Sequence, residues 1–150
     1  MTARANLHAS AVALGGRGVL IRGPARSGKS ALVLALLRRG PLPGAAAELV
    51  ADDRVDIEAA DGSVRLSAPA MLKGMLEISG IGIVTEPARP AADLWLVADL
   101  EPADALPRHP GTLSTEILGL SFPMVRLPRQ EAALAADILL TLALSSRLPD

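Results

Sequence analysis

Gly23-Pro24-Ala25-Arg26-Ser27-Gly28-Lys29-Ser30 matches G-x-x-x-x-G-K-[ST], and its flanks constrain how the chain around it folds. Before it stands the apolar run Gly18-Val-Leu-Ile-Arg22, and after it the apolar-periodic stretch Ala31 to Leu37. The pattern predicts strand, phosphate-binding loop and helix in direct succession. Glycines let the loop backbone approach a phosphate chain without a Cβ in the way, and the helix N-terminus adds partial positive charge. In such a loop Lys29 reaches the β- and γ-phosphates, and the Ser30 hydroxyl takes a position on Mg²⁺. The spacing therefore predicts a nucleoside triphosphate site over Gly23 to Ser30.

The 150 residues, half of them hydrophobic, are enough for one core, and the chain reads as a single domain over 1–150. A formal net charge of −1 gives no basic field for nucleic acid or an anionic membrane. One Phe, one Trp and no Tyr leave no stacking platform for bases. The lack of cysteine excludes disulfides and cysteine-based metal or nucleophile sites, and it fits a cytoplasmic protein. Ala9 to Leu14 is too short for a leader. The apolar Ala132 to Leu144, interrupted by Asp137, falls short of the ~18 residues of a membrane span, so a soluble protein is expected.

Periodicity places a helix from about Gly28 to Arg39, stopped by Gly40 and Pro41. Beyond the loop Pro41 to Ala47, the run Glu48 to Ala51 reads as a short strand that ends at Asp52-Asp53. Val55 to Ile57 and Ser63 to Leu66, split by Asp61-Gly62, read as a hairpin. Met75 to Val84 alternates around Gly80 and Gly82, and Asp93 to Asp99 is an apolar strand bounded by charge. A loop over Glu101 to Ser114, a last strand at about Phe122 to Leu127 and a helix over Gln130 to Ser145 complete an α/β order.

Asp52 and Asp53 follow their strand directly, at the sheet edge from which the phosphate loop opens. An acidic group there holds Mg²⁺ or accepts a proton from the nucleophile; an Asp-Asp pair is equally a common strand-to-turn junction. Asp99, at the end of Leu94-Trp-Leu-Val-Ala-Asp99, is a second candidate for the metal acid. Glu77 either faces solvent from a half-buried strand or aims at a metal. His8, one of two histidines, carries no local signal that separates a catalytic from a surface role.

Four stretches taken in order resemble one family. They are His8-Ala-Ser-Ala-Val-Ala13, Gly23 to Ser30, Leu49-Val-Ala-Asp-Asp-Arg-Val-Asp-Ile57 and Leu76-Glu-Ile-Ser-Gly-Ile-Gly-Ile83, and they resemble the C-terminal catalytic domain of the HPr kinase/phosphorylases. The resemblance implies a P-loop mixed β-sheet with flanking helices, related to the fold of phosphoenolpyruvate carboxykinase. It implies an ATP- and Mg²⁺-dependent kinase acting on a serine of the phosphocarrier HPr, with hexamers as the family's assembly. In that frame Asp52 is the base, His8 sits beside it and adjusts its charge, and Lys29 binds phosphates. Ser30 and Glu77 ligate Mg²⁺, and Arg129 stabilises charge on the transferring phosphoryl group. Asp53 lies nearby without a named role, and Asp99 becomes structural.

The chain also departs from that pattern. The family's first domain is absent, Ser79 stands where an arginine is usual, and Thr85 to Ala92 replaces a longer segment. Pro128-Arg129-Gln130 replaces Gly-Arg-Asn, and the chain stops at Asp150, about where the family carries a basic segment tied to phosphorolysis. The resemblance therefore implies kinase chemistry and does not extend to the phosphorylase direction. Two other functions fit the same motifs: a P-loop kinase of a small hydroxylated metabolite, and a non-catalytic ATP-sensing regulator.

Overall fold

A computed structural model describes residues 2–145 and 148. In chain order the elements are β1 (Arg4–Leu7), β2 (Ser10–Leu14), β3 (Arg17–Arg22), α1 (Lys29–Arg38), β4 (Ala47–Ala51), β5 (Val55–Ala60) and β6 (Ser63–Ser67). Then follow β7 (Met75–Ile78), β8 (Gly82–Thr85), β9 (Ala91–Glu101), β10 (Leu113–Ile117), β11 (Leu120–Pro128) and α2 (Ala132–Leu144). One sheet runs β1-β5-β6-β9-β3-β2-β4, with β11 also paired to β9 and carrying β10. The result is the mixed sheet with flanking helices that the sequence implied.

Strand direction places the site. β9 is parallel to β3, and β11 is parallel to β9. β2 is antiparallel to both β3 and β4, so β4 also runs with β3. The carboxyl ends of four strands thus meet at one edge, where open α/β sheets bind ligands. The loop Gly23 to Gly28 leaves β3 there, and Asp52-Asp53 leaves β4 there.

The sheet is apolar on both faces. Val12, Leu14, Val19, Ile21, Leu49 and Leu96 pack beneath the helices with Leu32, Leu36, Ala136 and Leu139. Ala11, Ala13, Leu20, Val50, Leu66 and Val97 form the opposite core under the β5–β6 and β10–β11 hairpins. β9 changes faces part-way: Ala92 and Leu94 belong to the second core, while Leu96, Ala98 and Leu100 belong to the first. The switch falls at a register shift between Gly18/Val19 and their partners Leu94/Leu96, where one extra residue reverses the alternation. Gly18 is required there, since a Cβ would lie 2.7 Å from the Asp93 carbonyl oxygen.

Three strands escaped the periodicity argument. β2 is buried at every position, so it shows no alternation, and Ala9 to Leu14 could be weighed only as a leader. β1 is a largely exposed edge strand with no apolar face, and β10, polar at three consecutive positions and so without apolar alternation, begins inside the expected Glu101–Ser114 loop. The stretch Met75–Val84 folds back between Ile78 and Gly82 as the two-stranded β7–β8 sheet. Arg38 of α1 pairs with Glu86, tying this hairpin to the helix. Among the described residues no helix is long and apolar enough to cross a membrane.

Candidate active site

The phosphate loop is shaped by left-handed backbone at Arg26 (φ 67°) and Gly28 (φ 100°). Gly23 has no room for a side chain, because a Cβ would lie 2.4 Å from Ser27 Oγ. No side chain caps the start of α1, whose first turn follows Gly28. Ser27 is 2% exposed, and its hydroxyl is buried without a partner among the described residues. Leaving such a donor unmatched costs about 1–3 kcal/mol. Lys29 Nζ donates to the carbonyls of Gly23 (2.7 Å) and Pro24 (3.0 Å). Burial pulls this ammonium below the ordinary lysine value, against the charges of Asp52 and Asp53, which favour the protonated form. A phosphate chain suits the loop in two ways: it offers acceptors to the uncapped helix start and negative charge to Lys29.

Asp52 and Asp53 diverge because Asp53 adopts left-handed backbone (φ 69°), a conformation Asp tolerates better than most residues. Asp52 turns inward and is 4% exposed. Its Oδ1 accepts from the Ser10 hydroxyl at 2.7 Å, and the Ser30 hydroxyl lies 2.9 and 2.8 Å from its two oxygens. The backbone N–H of Glu77 reaches Oδ2 at 3.3 Å, so the β7–β8 hairpin docks on the same carboxylate. Asp53 turns outward and meets His8 Nε2 at 3.2 Å, with side chains 56% and 43% exposed respectively. The resemblance set His8 beside Asp52; the structure pairs it with Asp53 instead, because the chain reversal sends the two carboxylates to different surroundings.

These groups surround a cleft of about 730 Å³ whose lining includes His8, Ser10, Lys29, Ser30, Asp53, Glu77, Ser79 and Gln130. That volume is in the usual range for a small-molecule site. Asp52 lies behind the wall. Among the described residues no three His, Asp or Glu side chains converge as a ready-made metal cage. A Mg²⁺ ion that keeps most of its waters needs only one or two protein ligands, and Ser30 and Glu77, which both line the cleft, are the residues that would hold it.

Arg129 is not among the lining residues. Its Nε donates to the Leu100 carbonyl at 3.2 Å, and its backbone N–H donates to Glu101. Gln130 occupies that wall instead: its side-chain amide donates to the Arg26 carbonyl at 2.9 Å and its backbone N–H to Ser27 at 3.1 Å. Asp99 is held in a two-pronged ion pair with Arg22 at 2.7 and 2.9 Å, so its oxygens are committed to the sheet. Sequence reasoning missed Ser10 and Gln130. Ser10 begins β2 two residues beyond His8, which lies in the bend between β1 and β2, so no strand alternation links the two; Gln130 had no local signal, since only the fold brings the end of β11 to the loop.

The fold and the loop define an α/β P-loop domain. A family model described as the HPr Serine kinase C-terminal domain matches residues 1–88. The chain belongs to that family. It is 43% identical over 82 residues to the HPr kinase/phosphorylase of Clostridium novyi (strain NT), covering 55% of this chain and 25% of the relative. With the HPr kinase/phosphorylase of Streptococcus sanguinis (strain SK36) it shares 32% identity over 137 residues, covering 83% of this chain and 42% of the relative. The chain therefore spans a quarter to under a half of these curated relatives. A solved structure, the Hpr(Ser) kinase/phosphatase from Coxiella burnetii, superposes with a TM-score of 0.78 at 28% identity, covering 92% of this chain and 93% of that one.

Proposed function

We propose that this chain is an ATP- and Mg²⁺-dependent protein-serine kinase domain of the cytoplasm, with an HPr-type phosphocarrier as its acceptor. One observation carries the reading: the His8–Asp53 pair faces the same cleft as Lys29, Ser30 and Glu77. The family's relatives bear the name HPr kinase/phosphorylase, which supplies the acceptor class.

The geometry favours a division of labour between the two aspartates. A general base has to reach the proton it takes. Asp53 lines the cleft, whereas Asp52 is buried and its oxygens already accept from Ser10, Ser30 and Glu77. Asp53, oriented by His8, accepts the proton of the acceptor serine as the new O–P bond forms. The bond between the γ-phosphorus and its bridging oxygen breaks, and ADP departs. Lys29 balances the charge that collects on the phosphates. Asp52 holds the Ser30 hydroxyl in place, and Ser30 with Glu77 would hold Mg²⁺, which supplies charge neutralisation when bound. Gln130 fastens the loop from the β11 side, while Arg129 has no group in the cleft to act through.

The test is incubation with Mg²⁺, ATP labelled in its γ-phosphate and purified HPr. Label on a serine of HPr is the expected result. Label passing to a small polyol but never to HPr would establish the metabolite-kinase reading, and nucleotide binding without transfer would establish the sensing one.

A further inference from the structure

A second concavity of about 460 Å³ adjoins the phosphate cleft at His8, which lines both. Gly23, the first residue of the phosphate loop, also borders it. Its remaining wall is mainly apolar, built from Leu7 and Ala9 at one side, Ile57 beneath, and Ile117 and Leu118 of the β10–β11 turn. Few polar groups reach it: Arg22 is engaged by Asp99 and His8 by Asp53, which leaves Glu116.

The turn that supplies Leu118 is strained. Ile117 pairs directly with Leu120, so Leu118-Gly119 is a two-residue hairpin loop, and both residues have positive φ, 51° and 82°. This loop geometry favours Asn-Gly or Asp-Gly, because a bulky side chain is disfavoured at positive φ. Leu118 occupies the disfavoured position and is half-buried against the second core, with its side chain on the wall of the concavity. A residue held in a sparsely populated conformation beside a reaction site points to a local demand on its side chain.

We propose that this concavity is an acceptor subsite that receives an apolar side chain flanking the phosphorylated serine of a protein substrate, with Leu118 as a specificity-determining residue. The inference rests on the kinase reading above. In-line transfer requires attacking and leaving oxygens on opposite sides of the phosphorus. The acceptor hydroxyl has to meet the proposed base Asp53 with its partner His8, both of which line the phosphate cleft, so the acceptor lies beside His8. A polyol would need several directional polar contacts, which this wall does not supply. Methyl groups of a polypeptide side chain need only exclusion from water.

Leu118→Asn places the residue preferred by the turn and removes the apolar contact; Leu118→Gly relieves the same backbone and adds no polar group. Both are assayed with Mg²⁺, ATP and purified HPr, alongside thermal melting. Expected is an unchanged or raised melting temperature, an unchanged KM for ATP, and kcat/KM for HPr lowered about tenfold in both variants. Parental kcat/KM for HPr in both variants overturns the subsite. So does a fall in melting temperature with KM for ATP rising alongside KM for HPr, since that is the signature of a structural leucine. Failure of the parent chain to phosphorylate HPr overturns the kinase reading, and the subsite with it.

Discussion

The two halves of the cleft are built on different principles although they join at one peptide bond. On the inner side Asp52 is 4% exposed and wired to Ser10, Ser30 and the backbone of Glu77. On the outer side Asp53 has a side chain 56% exposed and, among the described residues, a single side-chain partner, His8. A carboxylate that accepts several hydrogen bonds in a low-dielectric setting is rigid, and a lost partner leaves a buried group unmatched. A carboxylate at the cleft surface can exchange a proton with an incoming hydroxyl. On the proposed reading the inner half holds and the outer half reacts.

The largest effect that sharpens this contrast is on rate. Asp53→Asn should lower phosphoryl transfer to HPr by about 10²- to 10⁴-fold, the range of a general base, with KM for ATP and melting temperature little changed. Steady-state kinetics read this directly, and a near-parental rate would break the division between the two halves. Asp52→Ala should act first on the fold, costing about 1–3 kcal/mol because Ser10 is left buried without its acceptor. A urea titration measures that cost. If Asp52→Ala proved as stable as the parent yet inert, Asp52 would regain the role of base.

The smallest effect concerns Lys29, which stands between the halves. Its pKa is depressed by burial, so between that value and the ordinary lysine value of about 10.4 the unfolded chain binds more protons than the folded one. The lysine's penalty on stability is therefore full below its folded pKa and relieved as pH rises through it. Relative to Lys29→Met, the parent should gain stability as pH rises toward the ordinary lysine value, seen as a shift in urea midpoint. A shift of opposite sign would mean that Asp52 and Asp53 outweigh desolvation.

The nucleotide loop was legible because its chemistry is local: Gly23 to Ser30 are consecutive, and their glycines, lysine and serine act through backbone shape and short reach. The α/β order was legible for the same reason, wherever an element buries one face. β2, buried on both faces, gave no alternation to read, and β1, an exposed edge strand, gave no apolar one. The family resemblance brought His8, Asp52, Glu77 and Arg129 into view as a set, and the fold then redistributed them. His8 joined Asp53, and Gln130 replaced Arg129 at the wall.

Residue order alone settled the phosphate loop, the helix behind it and the acidic pair at the end of the following strand. Which aspartate turns inward, which histidine partner it leaves behind and which residue of Pro128-Arg129-Gln130 meets the loop were settled by packing. The reason is that these contacts join segments far apart in the chain, 45 residues for His8 with Asp53 and 104 for Gln130 with Arg26. Their geometry depends on strand direction, on a left-handed residue at Asp53 and on a register shift in β9, none of which has a local signature strong enough to read from neighbouring residues.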